Sequence, residues 1–300
     1  GGDLLWNKFV KYSLKKLLKK KGLLLYVHPS GWRKPESERS KFNGLFNLMT
    51  KEKQLVYLEI HDTKDGMKIF KCGTRYDWYL IEKSIKYKKS IIKCQDNKEY
   101  KIDMNKWNFL PNDNLDLISK LLYKNNNNEV CIIMYSRNDY GSDKKWVYSS
   151  KTDEYKHTLI HSTPIKETRY MYSSINNRGH FGIKKIIFGD SGINNSIIDI
   201  NGIYGMTQHS MAIEINNIEE GEHIKLAIES SKFKKLLTSC SWSNYQIDWR
   251  LFSYFKRDFW KEFITIEPPT EEPPTEEPTT ETPTTEEPPT EEPTTDTPTT

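Results

Sequence analysis

Leu23-Leu24-Leu25-Tyr26-Val27-His28-Pro29-Ser30-Gly31 decides the reading of the fold. Five consecutive apolar residues stopped by a Pro/Gly turn predict a strand buried on both faces, as in a parallel sheet covered by helices. Before it, Leu4, Leu5, Phe9, Tyr12, Leu14, Leu17 and Leu18 recur at three- and four-residue steps among lysines. That spacing predicts an amphipathic helix with Asp3 capping its start and Gly22 ending it. After it, the pattern predicts a second amphipathic helix over about 38–50 and a strand over 55–60. A loop holding Asp65-Gly66 and Cys72-Gly73 then leads to a strand over 76–81. Strands separated by helices of this length need right-handed crossovers and a doubly wound sheet. Three strands are too few for one. Residues 1–84 therefore read as the second half of an α/β domain, with its first half expected outside this sequence.

Beyond residue 84 the rhythm changes. Short β-prone pieces over 90–94 and 130–134 flank a short helix over 115–123, and further strands are expected over 183–188, 196–200 and 211–215. Asn217 is placed to cap a helix running to Ile228, a second helix covers 232–239, and an aromatic segment covers 242–263. Trp249, Phe252, Tyr254, Phe255, Phe259 and Trp260 fall at helical spacings, which predicts core rather than a stacking row. Residues 85–264 thus read as a mixed α+β domain. Residues 265–300 repeat a five-residue Pro/Thr/Glu unit with no hydrophobic side chain after Ile266, the composition of a disordered or polyproline-like tail.

That tail hides the charge of the rest. It carries eleven acids and no Lys or Arg, so the formal net charge of +4 becomes +15 for residues 1–266. A body this basic suits a polyanion such as nucleic acid, although an AT-rich coding bias also enriches Lys, Asn and Ile. Cys72, Cys94, Cys131 and Cys240 are scattered, with no C-x-x-C pair, and read as free thiols in a reducing setting. No signal peptide and no apolar span of membrane length is present, so an intracellular location without a membrane partner is expected.

Self-sufficient catalytic constellations are weak. His157 and His161 have a metal-compatible helical spacing but lie in a β-prone stretch. Phe188-Gly189-Asp190-Ser191-Gly192 lacks the pattern of a phosphate loop and predicts a β-turn. Glu59, Asp62 and Asp65 lack the Glu-x-Lys spacing of a nuclease and read as solvated loop acids.

Three longer strings carry more. They are the segment 25–35, Leu-Tyr-Val-His-Pro-Ser-Gly-Trp-Arg-Lys-Pro; the segment 70–81, Phe-Lys-Cys-Gly-Thr-Arg-Tyr-Asp-Trp-Tyr-Leu-Ile; and the pair 187–192 with 240–252. In order and spacing these resemble the later motifs and target-recognition domain of an adenine-specific (N6) DNA methyltransferase of restriction-modification type. The resemblance covers nearly all of 3–264 and leaves the tail aside. It implies an α/β fold in which a partial doubly wound methyltransferase sheet is followed by a mixed α+β target-recognition domain. It also implies double-stranded DNA as partner and S-adenosylmethionine as cofactor. Such enzymes turn the target base out of the duplex, and Phe70 sits where the family places a base-stacking aromatic.

Two of the family's motifs have no match. One is the Phe-x-Gly-x-Gly cofactor loop, and the other is the catalytic loop of a polar residue followed by Pro-Pro and an aromatic. The Pro-Pro pairs of this chain all lie in the tail. The resemblance therefore implies a chain with no catalytic or cofactor-binding residues of its own, inactive alone, whose sheet a second chain completes. For DNA it suggests Thr207, Gln208, Ser241, Asn244 and Arg250 as base readers and Lys184, Lys185, Lys234 and Lys235 as backbone anchors. Arg250 has the alternative of pairing with Asp248 or Asp258. A different reading of the whole is a non-catalytic DNA-binding or specificity module with an acidic tail.

Overall fold

In a computed structural model, residues 5–34, 36, 40–85, 88–124, 129–242 and 247–265 are described. The expected cap Asp3, the reader Asn244 and the tail lie outside them. The first helix, α1 (Trp6–Tyr12), passes through a π-helical turn, Ser13–Leu17, and Gly22 leads into β1 (Leu23–Pro29). The helix is apolar on two sides: Val10 and Leu14 are buried, whereas Leu5, Phe9, Tyr12 and Leu17 are all more than half exposed. A 3-10 turn, Ser30–Trp32, follows β1. The second predicted helix is short, α2 (Leu45–Asn47) with a π-helical turn Leu48–Glu52, because Gly44 at φ 72° starts it late. It buries Leu45, Phe46, Leu48 and Met49.

β2 (Gln54–His61) is followed by a helix, α3 (Thr63–Phe70), where a loop was expected. The Asp62 carboxylate caps it, accepting from the backbone N–H groups of Lys64 and Asp65 at 2.8 and 2.9 Å. Gly66 is tolerated inside it because a Cβ there would lie 2.1 Å from the Thr74 carbonyl oxygen; the helix packs directly onto the 72–74 loop. β3 (Tyr76–Glu82), β4 (Ser90–Lys93) and β5 (Glu99–Ile102) complete a sheet of order β1-β3-β2-β4-β5.

This sheet is mixed, and the doubly wound parallel expectation is corrected accordingly. β3 lies antiparallel between β1 and β2, β2 and β4 are parallel, and β5 is antiparallel to β4. Hydrophobic periodicity carries no information on strand direction. Here α3 returns the chain at the carboxyl end of β2, so the next strand runs back along it. β1 also alternates rather than being buried throughout, with Leu24 and His28 inside and Leu23, Leu25 and Val27 more than half exposed. α1 and α2 cover one face, packing onto Leu24, Leu58, Tyr79, Ile81 and Ile92. On the other face the register aligns Leu25, Leu80, Tyr57, Ile91 and Lys101 across the five strands, with Val27, Trp78, Glu59, Lys93 and Glu99 beside them. Leu25, Val27 and Ile91 stand exposed there, and among the described residues the outer edge of β1 has no partner.

The later region is mixed α and β, as expected. α4 (Leu115–Leu121), β6 (Ile133–Met134), α5 (Arg137–Tyr140) and β7 (Val147–Tyr148) precede β8 (His157–Ser162) and β9 (Arg169–Ser173). β10 (Lys185–Gly189) and β11 (Gly192–Asp199) form a hairpin whose turn is Asp190-Ser191. β12 (Gly205–Met206) and β13 (Ser210–Glu214) follow. The strands assemble as two four-stranded sheets, β11-β10-β13-β6 and β12-β8-β9-β7, with Ile160, Ile187, Met206 and Ala212 filling the seam. α6 (Ile218–Glu229) starts at Asn217, whose side chain accepts from the Glu220 N–H at 2.8 Å, and α7 (Ser231–Ser239) follows. The aromatic segment folds as 3-10 turns rather than one helix, yet it is core, with Phe252, Phe255 and Phe259 fully buried.

A buried polar knot ties the first sheet to this region. Arg33 and Asp77, both fully buried, meet at 3.0 Å, and Trp32 donates to the same carboxylate oxygen at 2.9 Å. Arg33 also donates to the carbonyls of Leu110 and Pro111 and to Asn112 Oδ1, while Asn112 donates to the Ser241 carbonyl at 2.8 Å. Burial pushes the Arg33 guanidinium down and the Asp77 carboxyl up, and the attraction and bonds of the pair offset only part of that cost; Asp77 Oδ1 makes no hydrogen bond among the described residues. Residues 1–265 form one compact unit, and the core runs without a break from Val10 to Trp260.

Candidate functional site

β1, β2 and β4 point the same way, and in α/β sheets ligands gather beyond the carboxyl ends of such strands. At that end of β2, Phe70, Tyr76 and His61 form an aromatic shelf. The His61 ring lies flat on Tyr76, with centroids 4.5 Å apart and planes 1° apart. Phe70, the last residue of α3, meets Tyr76 edge to face at 4.9 Å and remains 49% exposed. Lys71 in the left-handed conformation, φ 55°, ends the helix there and leaves the Phe70 ring at its tip. His61 Nδ1 is 2.9 Å from the Asp65 carboxylate. Its Nε2 lies 3.5 Å from Glu59 and makes no hydrogen bond among the described residues. Burial, then the charges of Asp65, Glu59 and Asp62, push the Tyr76 hydroxyl up. The arrangement offers a flat ring an aromatic contact beside acceptor groups.

The cap that starts α3 explains the shelf. Asp62 fixes the first turn, which carries Asp65 back over His61, and eight residues of helix set Phe70 over Tyr76. Further along the same sheet face Tyr57 stacks on Trp78 at 5.0 Å and bonds Glu59, which also pairs with Lys93 at 3.1 Å. Burial together with Glu59 and Glu99 pushes the Tyr57 hydroxyl up to about 12. Phe70 is thus exposed at the end of α3 against Tyr76, while Glu59 lies on β2 and Asp65 in the first turn of α3, where it stays exposed to solvent, so neither is a loop acid. His61 and Tyr76 escaped the sequence reading. Their signal was the helix cap Asp62, which would have set both rings against the end of α3.

S-adenosylmethionine finds no cradle among the described residues. After β1 the chain turns through Pro29-Ser30, after β4 through Cys94, and after β2 into α3, whose glycine is filled by the Thr74 carbonyl.

The expected DNA readers disperse. Lys185 is fully buried and held by Asp199 at 2.6 Å, so it cannot anchor a phosphate. Thr207 is fully buried and bonded to His161 Nδ1 at 2.9 Å, so it cannot reach a base edge. The Gln208 amide is satisfied by Ser142 at both ends, at 2.7 and 2.9 Å. Lys184 is exposed and bonds the Asn216 carbonyl at 3.3 Å, Lys234 bonds Asn194 at 3.1 Å, and Lys235 is exposed. Asn244 lies outside the described residues. Arg250 takes the alternative pairing, holding Asp248 at 2.8 and 2.9 Å, and its charge is reinforced by that bond. Only Ser241 and Arg250 come together, on the wall of a cavity of about 260 Å³ that Lys34, Tyr135, Asp190, Trp242 and Trp249 also line.

His157 and His161 lie on β8, so helical metal spacing does not apply to them. All four cysteines are free; burial pushes the thiols of Cys94 and Cys131 up to about 12, and Cys72 is exposed. No helix among the described residues is long and apolar enough to cross a membrane. Compared with known protein families and with curated proteins, the chain matches none.

Proposed function

We propose that this chain supplies the closing strands and the target-reading region of an adenine-specific (N6) DNA methyltransferase, and that the cofactor and catalytic loops come from polypeptide outside this sequence. The observation that carries this reading is the edge strand β1, which exposes Leu23, Leu25 and Val27 and has no partner on its outer side among the described residues. An exposed apolar edge strand is an aggregation hazard unless another strand or layer meets it. β1, with Leu23, Leu25 and Val27 exposed, and α1, with Leu5, Phe9, Tyr12 and Leu17 exposed, are the surfaces such a partner would cover. Phe70 then stands at the carboxyl end of the completed sheet, free to stack on a base turned out of double-stranded DNA.

The body charge of +15 over residues 1–266 supports DNA as the partner, and equally supports the alternative of a DNA-binding module without catalysis. Phe70 separates the two. In an enzyme assembled with the completing part, Phe70→Ala should slow methyl transfer at least tenfold while changing DNA affinity by less than threefold, because a stacking contact of about 1–3 kcal/mol acts on the flipped state. Equal losses in binding and transfer, or none in either, would return Phe70 to the packing of α3.

A further inference from the structure

The cavity lined by Ser241 and Arg250 shares no lining residue with the aromatic shelf and is built differently. Its volume, about 260 Å³, is below that of a drug-sized pocket and suits a single flat ring system. Three aromatic side chains line it. Trp249 is pre-oriented by stacking on Tyr135 at 5.8 Å and 18°, and Trp242 is locked by its indole N–H bond to the Leu110 carbonyl at 2.7 Å. Lys34 sits over the Trp242 ring at 5.4 Å.

The polar lining is asymmetric. Lys34 and Arg250 share Asp248 and Glu36, forming a neutral four-charge cluster. Burial pushes the Asp248 carboxyl up, but the bonds and charges of Arg250 and Lys34 outweigh this and hold it below the usual carboxylate range. Asp190 has neither Lys nor Arg beside it, and its ion-pair neighbour among the described residues is His209, facing Oδ2. Its side chain is 9% exposed; Oδ1 accepts from the Ser191 hydroxyl at 2.8 Å, and His209 is no nearer than 3.5 Å. Its backbone is fixed on both sides, the N–H donating to the His209 carbonyl at 3.1 Å and the carbonyl accepting from the Ile247 N–H at 2.8 Å. A buried carboxylate on a cavity wall, with acceptor capacity left over, calls for a ligand that brings donors.

We propose that this cavity binds a guanine base, stacked against Trp249, with its N1–H and 2-amino group donated to the Asp190 carboxylate. An ionised carboxylate only accepts, and of the nucleobases guanine presents two adjacent donors in one plane for a bidentate contact. Adenine and cytosine each set a ring acceptor beside their amino group, which an Asp oxygen repels. The neutral cluster of Lys34, Arg250, Asp248 and Glu36 brings no net charge to this wall, so the base rather than the phosphate carries the recognition. The base is carried either by a free nucleotide or by an extrahelical guanine in nucleic acid, and the site does not depend on the methyltransferase reading.

Tryptophan fluorescence of the full chain, titrated with GMP, IMP, AMP and XMP, tests this. GMP should quench and bind at least tenfold more tightly than IMP, which lacks the 2-amino group, and than AMP. Asp190→Asn should lose GMP and gain XMP, since an amide matches xanthine's carbonyl and N1–H; a merely structural role for Asp190 would not exchange the two. Circular dichroism of the variant checks that it folds. A parallel titration with an oligonucleotide carrying one bulged guanine, against the same strand with an abasic site, assigns the source. Equal binding of AMP and GMP, no saturable quenching by either GMP or the bulged guanine, or an Asp190→Asn variant that still prefers guanine would overturn the proposal.

Discussion

His28 shows how one residue records the burial of the sheet's covered face. Its ring lies on Trp6 with centroids 4.0 Å apart, and its Nε2 is 2.8 Å from the Tyr79 hydroxyl. Burial lowers its pKa from the ordinary 6.5 to about 4. Between those values the unfolded chain binds a proton that the folded one refuses, so this contribution to stability is present above pH 6.5 and is lost as pH falls toward 4. The loss amounts to roughly 3 kcal/mol, at 1.36 kcal/mol per unit. Chemical denaturation at pH 7 and pH 4.5 should show it, and His28→Gln should flatten the difference even where it lowers stability at pH 7. An unchanged pH slope in the variant would place the acid sensitivity elsewhere. Single residues were also where sequence reading was weakest. Lys185 and Thr207 have the chemistry of surface readers, and only the strand pairing that buries them beside Asp199 and His161 reveals otherwise.

At the level of elements, existence was legible and direction was not. The strands over 23–27, 55–60 and 76–81 were readable because apolar runs ended by turn residues leave few alternatives, and Asn217 marked the start of α6 because its side chain must satisfy a helix N–H. α3 was missed because Gly66 argues against a helix unless its packing on Thr74 is known. The open edge was anticipated, but a second exposed surface was not. α1 carries an apolar stripe on each side, and periodicity alone does not tell a helix buried once from one buried twice. Leu25→Lys with Val27→Lys therefore should reduce self-association of the purified chain while shifting its thermal midpoint by no more than a few degrees, since both side chains lie on the uncovered face. A drop of ten degrees or more, measured by circular dichroism, would mean that this face is already packed.

Across the whole molecule, charge is divided between a basic body and an acidic tail. If the tail's eleven acids screen the body, deleting residues 267–300 should tighten non-specific DNA binding at low salt and steepen its salt dependence. Identical isotherms for the two forms would remove the tail from DNA binding. The proposed function is one of division of labour, in which this sheet and its aromatic shelf would be joined by a part that holds the cofactor. Transfer of labelled methyl groups from S-adenosylmethionine to adenine in DNA tests it most directly. It should be measured for this chain alone and for the chain joined to whatever polypeptide is encoded immediately upstream of Gly1. The account predicts no label from the chain alone and N6-labelled adenine from the joined protein. Turnover by the chain alone, or a joined protein that folds and binds DNA yet transfers nothing, would contradict it.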